Sequence, residues 1–193
     1  MANFDESYNI TLNHEGGYSN DAVDSGGETF KGISRKYHPN WQGWAIIDAA
    51  NSEPNFPNCL RGNTGLDSLV RLFYKDKYWN LFWGDNIPNQ EIANEMFDTG
   101  VNMGVGRAVR YLQKGLNVLN RNQKNCPDIV EDGVFGNNTL LTLKIYLDID
   151  SPSFLLKIMN VLQGMHYITY MTKSPIQERF ARGWMNRVSI NKN

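Results

Sequence analysis

The stretch that decides the fold is His14-Glu15-Gly16-Gly17-Tyr18, followed shortly by Gly26-Gly27-Glu28-Thr29. Apolar side chains recur at a helical spacing before it and predict an N-terminal helix. They are Phe4, Tyr8, Ile10 and Leu12. Gly16 is a natural stop for this helix, because glycine readily adopts the left-handed conformation that ends helices. The sequence therefore puts the Glu15 carboxylate at the end of a helix, beside a turn.

A carboxylate at that position has the properties of a general acid. The last turn of a helix presents unpaired carbonyl groups, whose partial negative charge disfavours an ionised Glu15 and raises its affinity for a proton. A glycosidase needs such an acid to be protonated near neutral pH. The alternative is a solvated helix-end carboxylate followed by glycines that the turn requires.

The downstream spacing favours the catalytic interpretation. Glu15-Gly16-Gly17-Tyr18, the Gly26 to Thr29 run and Gly32-Ile33 together resemble the N-acetylmuramidase domain of glycoside hydrolase family 108. Two later runs resemble the same family, and the resemblance then spans nearly the whole chain. They are Phe97-Asp98-Thr99-Gly100-Val101-Asn102-Met103-Gly104 and Gly183-Trp184-Met185-Asn186-Arg187.

The resemblance implies a lysozyme-like muramidase of the phage endolysin type. Its reaction would be hydrolysis of the β-1,4 bond between N-acetylmuramic acid and N-acetylglucosamine in peptidoglycan, with Glu15 as the acid. Asp24 and Thr29 follow in the order of phage-type lysozymes, although the last spacer is one residue shorter. A second carboxylate can stabilise charge on the sugar or activate water, and a hydroxyl can position that water. Asp24 is the first choice for the carboxylate and Glu28 its rival, while an ordinary Asx turn also explains Asp24.

Four further residues are candidates for substrate binding: Tyr18, Glu28, Asp98 and Asn102. Asp98 and Asn102 share a helix face, where they either line a sugar cleft or join two helices by hydrogen bonds, and we favour the second role. Arg182 and Arg187 are either solvated or paired with carboxylates. One or two aromatic side chains are expected to reach the cleft, with Tyr18 the first choice, among Tyr18, Trp41, Trp44, Tyr78, Trp79 and Trp83.

A second motif occupies the middle of the chain. Tyr111-Leu112-Gln113-Lys114-Gly115-Leu116, then Asp132-Gly133-Val134-Phe135-Gly136 and Thr139, resemble the helical peptidoglycan-binding repeat. Asp-Gly makes a tight turn, and Asn137 or Asn138 is expected to cap the next helix. The motif specifies a fold more firmly than a ligand, because similar helical scaffolds also occur as plain packing units.

The chain of 193 residues with 41% hydrophobic content predicts one compact protein. We expect a mainly α, lysozyme-like fold that allows a small β-hairpin near residues 17–33. The predicted lobes are 1–88, which carries the acid, and 89–193, which completes the cleft. Helices are expected to restart at Leu66-Asp67-Ser68 and at Ser151-Pro152, the latter with a wide buried stripe. That stripe consists of Phe154, Leu155, Ile158, Met159, Leu162, Met165 and Ile168.

Composition argues against several classes of function. A net charge of −1, without a basic cluster, disfavours a nucleic-acid partner. A zinc-protease helix is excluded because Tyr18 stands where the second metal-binding histidine belongs. A calcium loop at 128–133 fails because Val130 occupies an oxygen-ligand position and Thr139 replaces the bidentate glutamate. We predict no metal and no cofactor.

The location of the protein follows from its first residues, which lack both a basic segment and an apolar segment of a signal peptide. With no apolar run near the length of a membrane span, the sequence predicts cytoplasmic synthesis without membrane insertion. Action at the cell wall then requires release through a pore, secretion machinery or lysis. We expect a monomer in which Cys59 and Cys126 stay free thiols, although a bridge formed after release is an alternative.

Two rival functions stay open at this point. A protein that binds peptidoglycan without cutting it, or assists secretion, would use the same cleft and helical repeat. A lytic transglycosylase would cut the same bond without water. Retention or inversion at the anomeric carbon depends on a separation between carboxylates that the sequence does not supply.

Overall fold

The computed structural model describes residues 1–12, 17–20 and 27–189. The helices are α1 (Phe4–Leu12), α2 (Gly43–Ala50), α3 (Thr64–Tyr74), α4 (Gln90–Met103), α5 (Val105–Leu119), α6 (Asn137–Ile149), α7 (Pro152–Lys173) and α8 (Ala181–Met185). The strands are β1 (Tyr18–Asn20), β2 (Glu28–Phe30) and β3 (Ile33–Ser34). The mainly α fold and the small hairpin are therefore confirmed.

The chain forms two compact units. The hairpin unit is Tyr8–Lys77, and the helical unit combines Met1–Ser7 with Tyr78–Asn193. Each has its own buried apolar residues, for example Ile33 and Leu66 in the first and Met96 in the second.

The hairpin unit is built on a small antiparallel sheet in the order β1-β2-β3. Across β1 and β2, Tyr18 lies opposite Phe30 and Ser19 opposite Thr29. Its core is formed by large apolar side chains of the sheet and of α2 and α3. They are Phe30, Ile33, Trp44, Ile47, Leu66, Val70, Phe73 and Tyr74.

The buried face of α1 differs from the predicted stripe. Phe4, Ser7 and Thr11 are buried, whereas Ile10 is 56% exposed. Residues 4, 7 and 11 follow the three- and four-residue spacing of one helix face, and position 10 lies off that face. The predicted stripe was wrong because two of the buried residues, Ser7 and Thr11, carry hydroxyl groups, and a pattern of apolar residues does not include them.

The first seven residues join the helical unit through polar contacts. The Ala2 amide donates to the Ile87 carbonyl at 2.9 Å, and the Asn3 amide donates to Gln90 Oε1 at 2.6 Å. The buried Ser7 hydroxyl donates to Asn94 Oδ1 at 2.6 Å. These bonds satisfy the start of α1 and attach it to α4, which begins about 80 residues later in the chain.

Helix α3 begins earlier than predicted. The cap is Asn63, whose side chain accepts a hydrogen bond from the Leu66 amide at 2.9 Å, rather than Asp67 or Ser68. The helix then continues through a π-helical turn at Lys75–Trp79 and two 3₁₀ turns at Asn80–Phe82 and Gly84–Asn86. Its sequence pattern extends to Gly84, but the regular α-helix ends at Tyr74.

Trp79 occupies the centre of an aromatic cluster in the helical unit. Its fully buried ring makes edge contacts with Phe4, Phe82 and Phe97, at centroid distances of 5.7, 5.4 and 6.0 Å. Its indole Nε1–H donates to Asp85 Oδ1 at 2.8 Å. A buried indole needs such an acceptor. The cluster therefore fixes the turn that follows α3.

The residues of the second sequence motif are hydrogen-bonded to one another. Gln113, which is buried in α5, accepts a hydrogen bond from the Gly133 amide at 2.9 Å. Its Nε2 donates to Asp132 Oδ1 at 2.9 Å and lies 3.3 Å from the Thr139 hydroxyl. Gly133 has φ +78°, and a Cβ there would lie 2.5 Å from the Gly106 carbonyl oxygen, so glycine is required. The motif residues thus hold the loop between α5 and α6.

This arrangement predicts a loss of stability for Gln113→Leu. The substitution leaves the Gly133 amide and the Thr139 hydroxyl without Gln113, so we expect the free energy of unfolding to fall by about 2–3 kcal/mol in urea denaturation. Asn138→Leu, which replaces an exposed amide of the same unit, is the matched control. Folded Gln113→Leu should bind purified sacculi as well as the wild type does. Full stability with lost sacculus binding would instead make Gln113 a ligand contact.

Helix α6 lacks the predicted side-chain cap. Gly136 occupies the cap position, and neither Asn137 nor Asn138 caps the helix because both lie inside it. The prediction of an asparagine cap was therefore wrong. The extended backbone of Gly136 supplies the turn into the helix instead.

Helix α7 confirms its predicted start but only part of its predicted core. Ser151 caps it by accepting from the Ser153 amide at 3.3 Å. Leu155 and Met159 are buried, whereas Phe154, Met165 and Ile168 are exposed. The stripe is wider than the face that the neighbouring helices cover. After α7, Trp184 stacks on Tyr167 with centroids 5.2 Å apart, as expected for a residue that docks the tail.

Candidate functional site

The candidate residues divide between described and undescribed parts of the chain. Glu15 and Asp24 lie outside the described residues. Tyr18, Glu28 and Thr29 belong to the sheet of the hairpin unit. Asp98 and Asn102 belong to α4 of the helical unit.

The pleat of the sheet separates Thr29 from Tyr18 and Glu28. Successive side chains of a strand point to opposite faces, so Glu28 and Thr29 cannot share one. The Tyr18 hydroxyl donates to Glu28 Oε1 at 3.1 Å, which places these two on the same face. The sheet therefore places Tyr18 and Glu28, the proposed substrate-binding pair, on one face and the proposed catalytic hydroxyl of Thr29 on the other.

Glu28 is the centre of an ion-pair cluster. Its Oε2 lies 2.6 Å from Arg35 Nε. Arg35 also binds both carboxylate oxygens of Asp48, at 2.5 and 3.1 Å, and its guanidinium lies 4.5 Å from the centre of the Trp44 ring. The pKa of Tyr18 is raised, first by burial and then by its hydrogen bond to Glu28. The Glu28 carboxylate is thus engaged by two side chains of its own unit, Tyr18 and Arg35.

Sequence reasoning missed Arg35. The register gives its place, because Phe30 pairs with Ile33 and Thr29 with Ser34, so that Glu28 lies next to Arg35. Indeed, the Arg35 amide donates to the Glu28 carbonyl at 2.8 Å. An opposite-charge pair at that spacing across a two-residue turn is the signal that could have found it.

Thr29 lies in a row of hydroxyl groups on the other face. Ser19 on β1 and Ser34 on β3 are its direct cross-strand partners. Side chains paired in this way lie about 5 Å apart at Cβ, which is close enough for hydroxyl groups to share a bound water or sugar hydroxyl. Ser34 is buried, whereas Ser19 is exposed. The row offers hydrogen-bonding groups along one line of the sheet.

Asp98 is bound within the helical unit. Arg187 Nη1 lies 2.6 Å from Asp98 Oδ1, and Gln163 Nε2 lies 3.3 Å from Oδ2. Asn102 Nδ2 donates to the Asp98 carbonyl at 2.8 Å. Burial raises the pKa of Asp98, while Arg187 and Gln163 oppose that rise. These contacts join α4, α7 and the tail, the structural role favoured for Asp98.

The Arg187–Asp98 pair predicts a pH-dependent effect of Arg187→Gln. The pKa of Asp98 is raised in the folded protein above its ordinary value of 3.8. The unfolded chain therefore ionises more readily, and Asp98 lowers the stability of the fold as the pH rises above 3.8. Arg187 offsets this cost only when Asp98 is ionised. We therefore expect the variant to lose about 1–3 kcal/mol of unfolding free energy at pH 7, and much less at pH 3.

Urea denaturation at both pH values measures this effect. Arg182→Gln, an exposed arginine in the same tail, serves as the control and should show no such dependence. An equal loss at pH 3 and pH 7 would show that Arg187 acts through packing rather than through the Asp98 charge.

The aromatic candidates are mainly buried. Trp44 and Trp79 lie in the cores of their units, and the Trp44 indole donates to the His38 carbonyl at 2.8 Å. Trp83 is partly exposed and contacts Phe135 at a centroid distance of 5.7 Å. Trp41 is partly exposed as well. Tyr18 makes an edge contact with Phe56 at 4.7 Å.

The described part of the chain shows neither a metal-binding cluster nor a membrane-spanning helix. Over residues 1–12, 17–20 and 27–189, no three His, Cys, Asp or Glu side chains gather in a way that would hold a metal ion. No helix within these same ranges has the length and apolar character to cross a membrane. Cys59 and Cys126 are both free thiols.

The comparison with protein families decides the assignment. Residues 8–104 match the family described as "Glycosyl hydrolase 108". The chain belongs to glycosyl hydrolase family 108. Residues 107–189 of this family 108 hydrolase match a second family, described as "Predicted Peptidoglycan domain". Both matches confirm the resemblances that the motifs indicated.

Solved structures add a likeness of fold. SagA of Brucella abortus resembles this family 108 hydrolase with a TM-score of 0.60 and 22% sequence identity, over 96% of this chain and 89% of that one. At this identity the likeness concerns the fold alone. No curated protein matches the chain.

The family assignment carries a general activity. The chain is a glycoside hydrolase, and the adjoining peptidoglycan domain supports peptidoglycan as its substrate. The predicted class of enzyme and the predicted class of substrate are thereby confirmed at this level.

Proposed function

We propose that this family 108 hydrolase is an N-acetylmuramidase that cleaves the β-1,4 bond between N-acetylmuramic acid and N-acetylglucosamine. The observation that carries the proposal is the family match over residues 8–104, which includes the Glu15-Gly-Gly-Tyr motif. The general activity is that of a glycosidase, and this motif supplies a carboxyl group at the end of an amphipathic segment. Such a group is the acid that the reaction needs.

In the proposed reaction, Glu15 donates its proton to the glycosidic oxygen as the bond to the anomeric carbon breaks. Positive charge then develops on the sugar ring, and a second carboxylate stabilises it or activates the attacking water. Water supplies a hydroxyl to the anomeric carbon, and its remaining proton restores Glu15, either directly or through the second carboxylate. The products are a free reducing end and a new non-reducing end.

Asp24 is the better of the two choices for the second carboxylate. Glu28 is already bound by Arg35 and by the Tyr18 hydroxyl, which makes it suited to holding β1, β2 and α2 together. Moving it into a reaction would break those contacts. Asp24 precedes β2 and follows Glu15 by nine positions. Thr29, on the face opposite to Glu28, is proposed to position the water together with Ser19.

Product analysis tests the proposed bond. Purified peptidoglycan is digested with the full chain, and the fragments are examined by mass spectrometry after borohydride reduction. N-acetylmuramic acid at the reducing ends is the expected result. Reduced N-acetylglucosamine would overturn the proposed bond, and anhydro-muramic ends would make the protein a lytic transglycosylase.

A pull-down on intact sacculi separates the remaining alternative. Sedimentation with sacculi but no clearing of several peptidoglycan types would identify a binding or secretion-accessory protein. For the enzyme, we propose that release through a pore, secretion machinery or lysis brings it to the wall. The expected monomeric state stays a prediction.

A further inference from the structure

A groove in the hairpin unit is lined by none of Tyr18, Glu28 and Thr29. It has a volume of about 530 Å³ and lies between the segment before α2 and the outer side of α3. Tyr37, His38 and Trp41 line it from the first segment, and Leu72, Phe73 and Asp76 from α3 and the turn after it. Pockets of this size hold small ligands or one to a few sugar rings.

The groove lies on the side of α3 opposite to α1. Within the hairpin unit, Tyr8 of α1 contacts Tyr74 at 6.0 Å and Arg71 at 4.9 Å. Helical residues advance by 100° each, so Leu72 and Asp76 point roughly away from Arg71 and Tyr74. The groove is therefore a surface distinct from the one that α1 covers.

The floor of the groove is a tryptophan held in a fixed orientation. The Trp41 ring stacks on Phe30 at a centroid distance of 6.3 Å and meets the edge of Trp44 at 5.1 Å. Gly43 allows this position, because a side chain there would collide with the Trp41 ring. A rigid, partly exposed aromatic ring loses little entropy when a flat ligand packs on it.

Polar groups surround this aromatic floor. Asn40 and Gln42 are exposed amides that can both donate and accept hydrogen bonds. Burial and the nearby Lys77 charge lower the pKa of His38, so its imidazole is neutral at pH 7 and has one donor and one acceptor. Tyr37 is 64% exposed and Leu72 54% exposed, so both side chains are accessible to a ligand from solvent.

This mixture fits a saccharide better than other ligands. A pyranose ring has an apolar face of C–H groups and an edge of hydroxyl groups, and an N-acetyl group adds one amide donor and one acceptor. Aromatic and aliphatic side chains match the apolar face of the ring, and neutral amides and imidazole match the hydroxyl and N-acetyl groups. A ligand recognised mainly by charge would require a dominant cluster of one sign, whereas Asp76 and Lys77 carry opposite charges.

We propose that this groove is a second, non-catalytic binding site for the N-acetylated glycan of peptidoglycan. The inference rests on the proposed substrate of the enzyme. Peptidoglycan is a polymer, so a chain that binds one strand at two places is retained on it far longer than a chain that binds once. The groove would keep the hydrolase on the wall between successive cleavages.

Binding of a soluble glycan is the direct test. The probe is chitotetraose, the tetramer of N-acetylglucosamine, added to the Glu15→Gln variant, which is expected not to cut it. The readout is the NMR signal of the Trp41 indole N–H, assigned by its loss in Trp41→Phe. We expect a saturable shift of this signal. A signal that does not move overturns the proposal.

Tyr37→Ala identifies the groove as the site, since an exposed side chain can be removed without unfolding. We expect the dissociation constant read at Trp41 to rise about threefold to tenfold. Tyr170→Ala, a half-exposed tyrosine of the helical unit, should leave it unchanged. An equal dissociation constant for Glu15→Gln with and without Tyr37→Ala would place the ligand elsewhere and overturn the proposal.

Hydrolysis of sacculi separates this inference from the proposed function. With Glu15 intact, Tyr37→Ala should raise KM for insoluble sacculi about threefold to tenfold and leave kcat unchanged. Reduced kcat with unchanged KM would overturn the second-site role. If the wild type clears no peptidoglycan while the Trp41 signal still shifts, the proposed function fails and the groove stands as a glycan site.

Discussion

The Glu15→Gln variant is expected to hydrolyse peptidoglycan about 100- to 10,000-fold more slowly than the wild type. Glutamine keeps the size and hydrogen-bonding capacity of the side chain but cannot supply a proton to the leaving oxygen. Clearing of purified sacculi over time, together with the yield of new reducing ends, measures the loss. Because kcat should fall while binding persists, the variant should still sediment with sacculi.

A matched substitution in the N-terminal helix α1 controls for the loss of one carboxylate. Glu6→Gln makes the same change at an exposed position of that helix and should retain wild-type activity. Asp24→Asn tests the second carboxylate under the same assay. Full activity of Glu15→Gln, with Glu28→Gln inactive but equally stable, would transfer the acid role to Glu28.

Trp79→Ala should lower the free energy of unfolding by about 3–5 kcal/mol. The indole is fully buried and contacts three other aromatic rings, so truncation leaves a large cavity that neighbouring rings cannot fill. The Asp85 carboxylate also loses the indole N–H as a donor. Urea denaturation monitored by circular dichroism gives the change, and a marginal protein would not fold at all.

Two further variants test this reasoning. Trp83→Ala removes a tryptophan that is 37% exposed, and its cost should be only about 1 kcal/mol. Gly84→Ala should destabilise strongly, because its added carbon would collide with the Trp79 ring. Equal costs for Trp79→Ala and Trp83→Ala would mean that the cluster around Trp79 collapses without strain.

Local signals predicted the elements of this fold well where they were self-contained. The Ser151-Pro152 pair set the start of α7, and the glycines near residues 26–32 marked the hairpin. Which face of a helix is buried was harder to predict from the sequence. Ile10 and Phe154 are apolar yet exposed, and Ser7 is polar yet buried, because the packing neighbours lie far away in the sequence.

The candidate site was predictable mainly through its motif. The family match confirmed the resemblance that the residues around Glu15 carry, while the catalytic roles of Glu15 and Asp24 stay predictions. The partners of those residues were not evident from spacing alone, since Arg35 meets Glu28 only after the strands pair, and Arg187 meets Asp98 across 89 positions. A carboxylate in a sequence shows its charge but not the cation that neutralises it.

The attachment of Met1–Ser7 to residues 87–94 has a consequence during synthesis. All of the hairpin unit has been synthesised once residue 77 is added, so contacts within that unit do not depend on α4. The first seven residues must wait for α4 before they find their hydrogen-bonding partners. The Met1–Ser7 segment is therefore among the parts that fold late, and a nascent chain held short of α4 would expose Phe4 to chaperones.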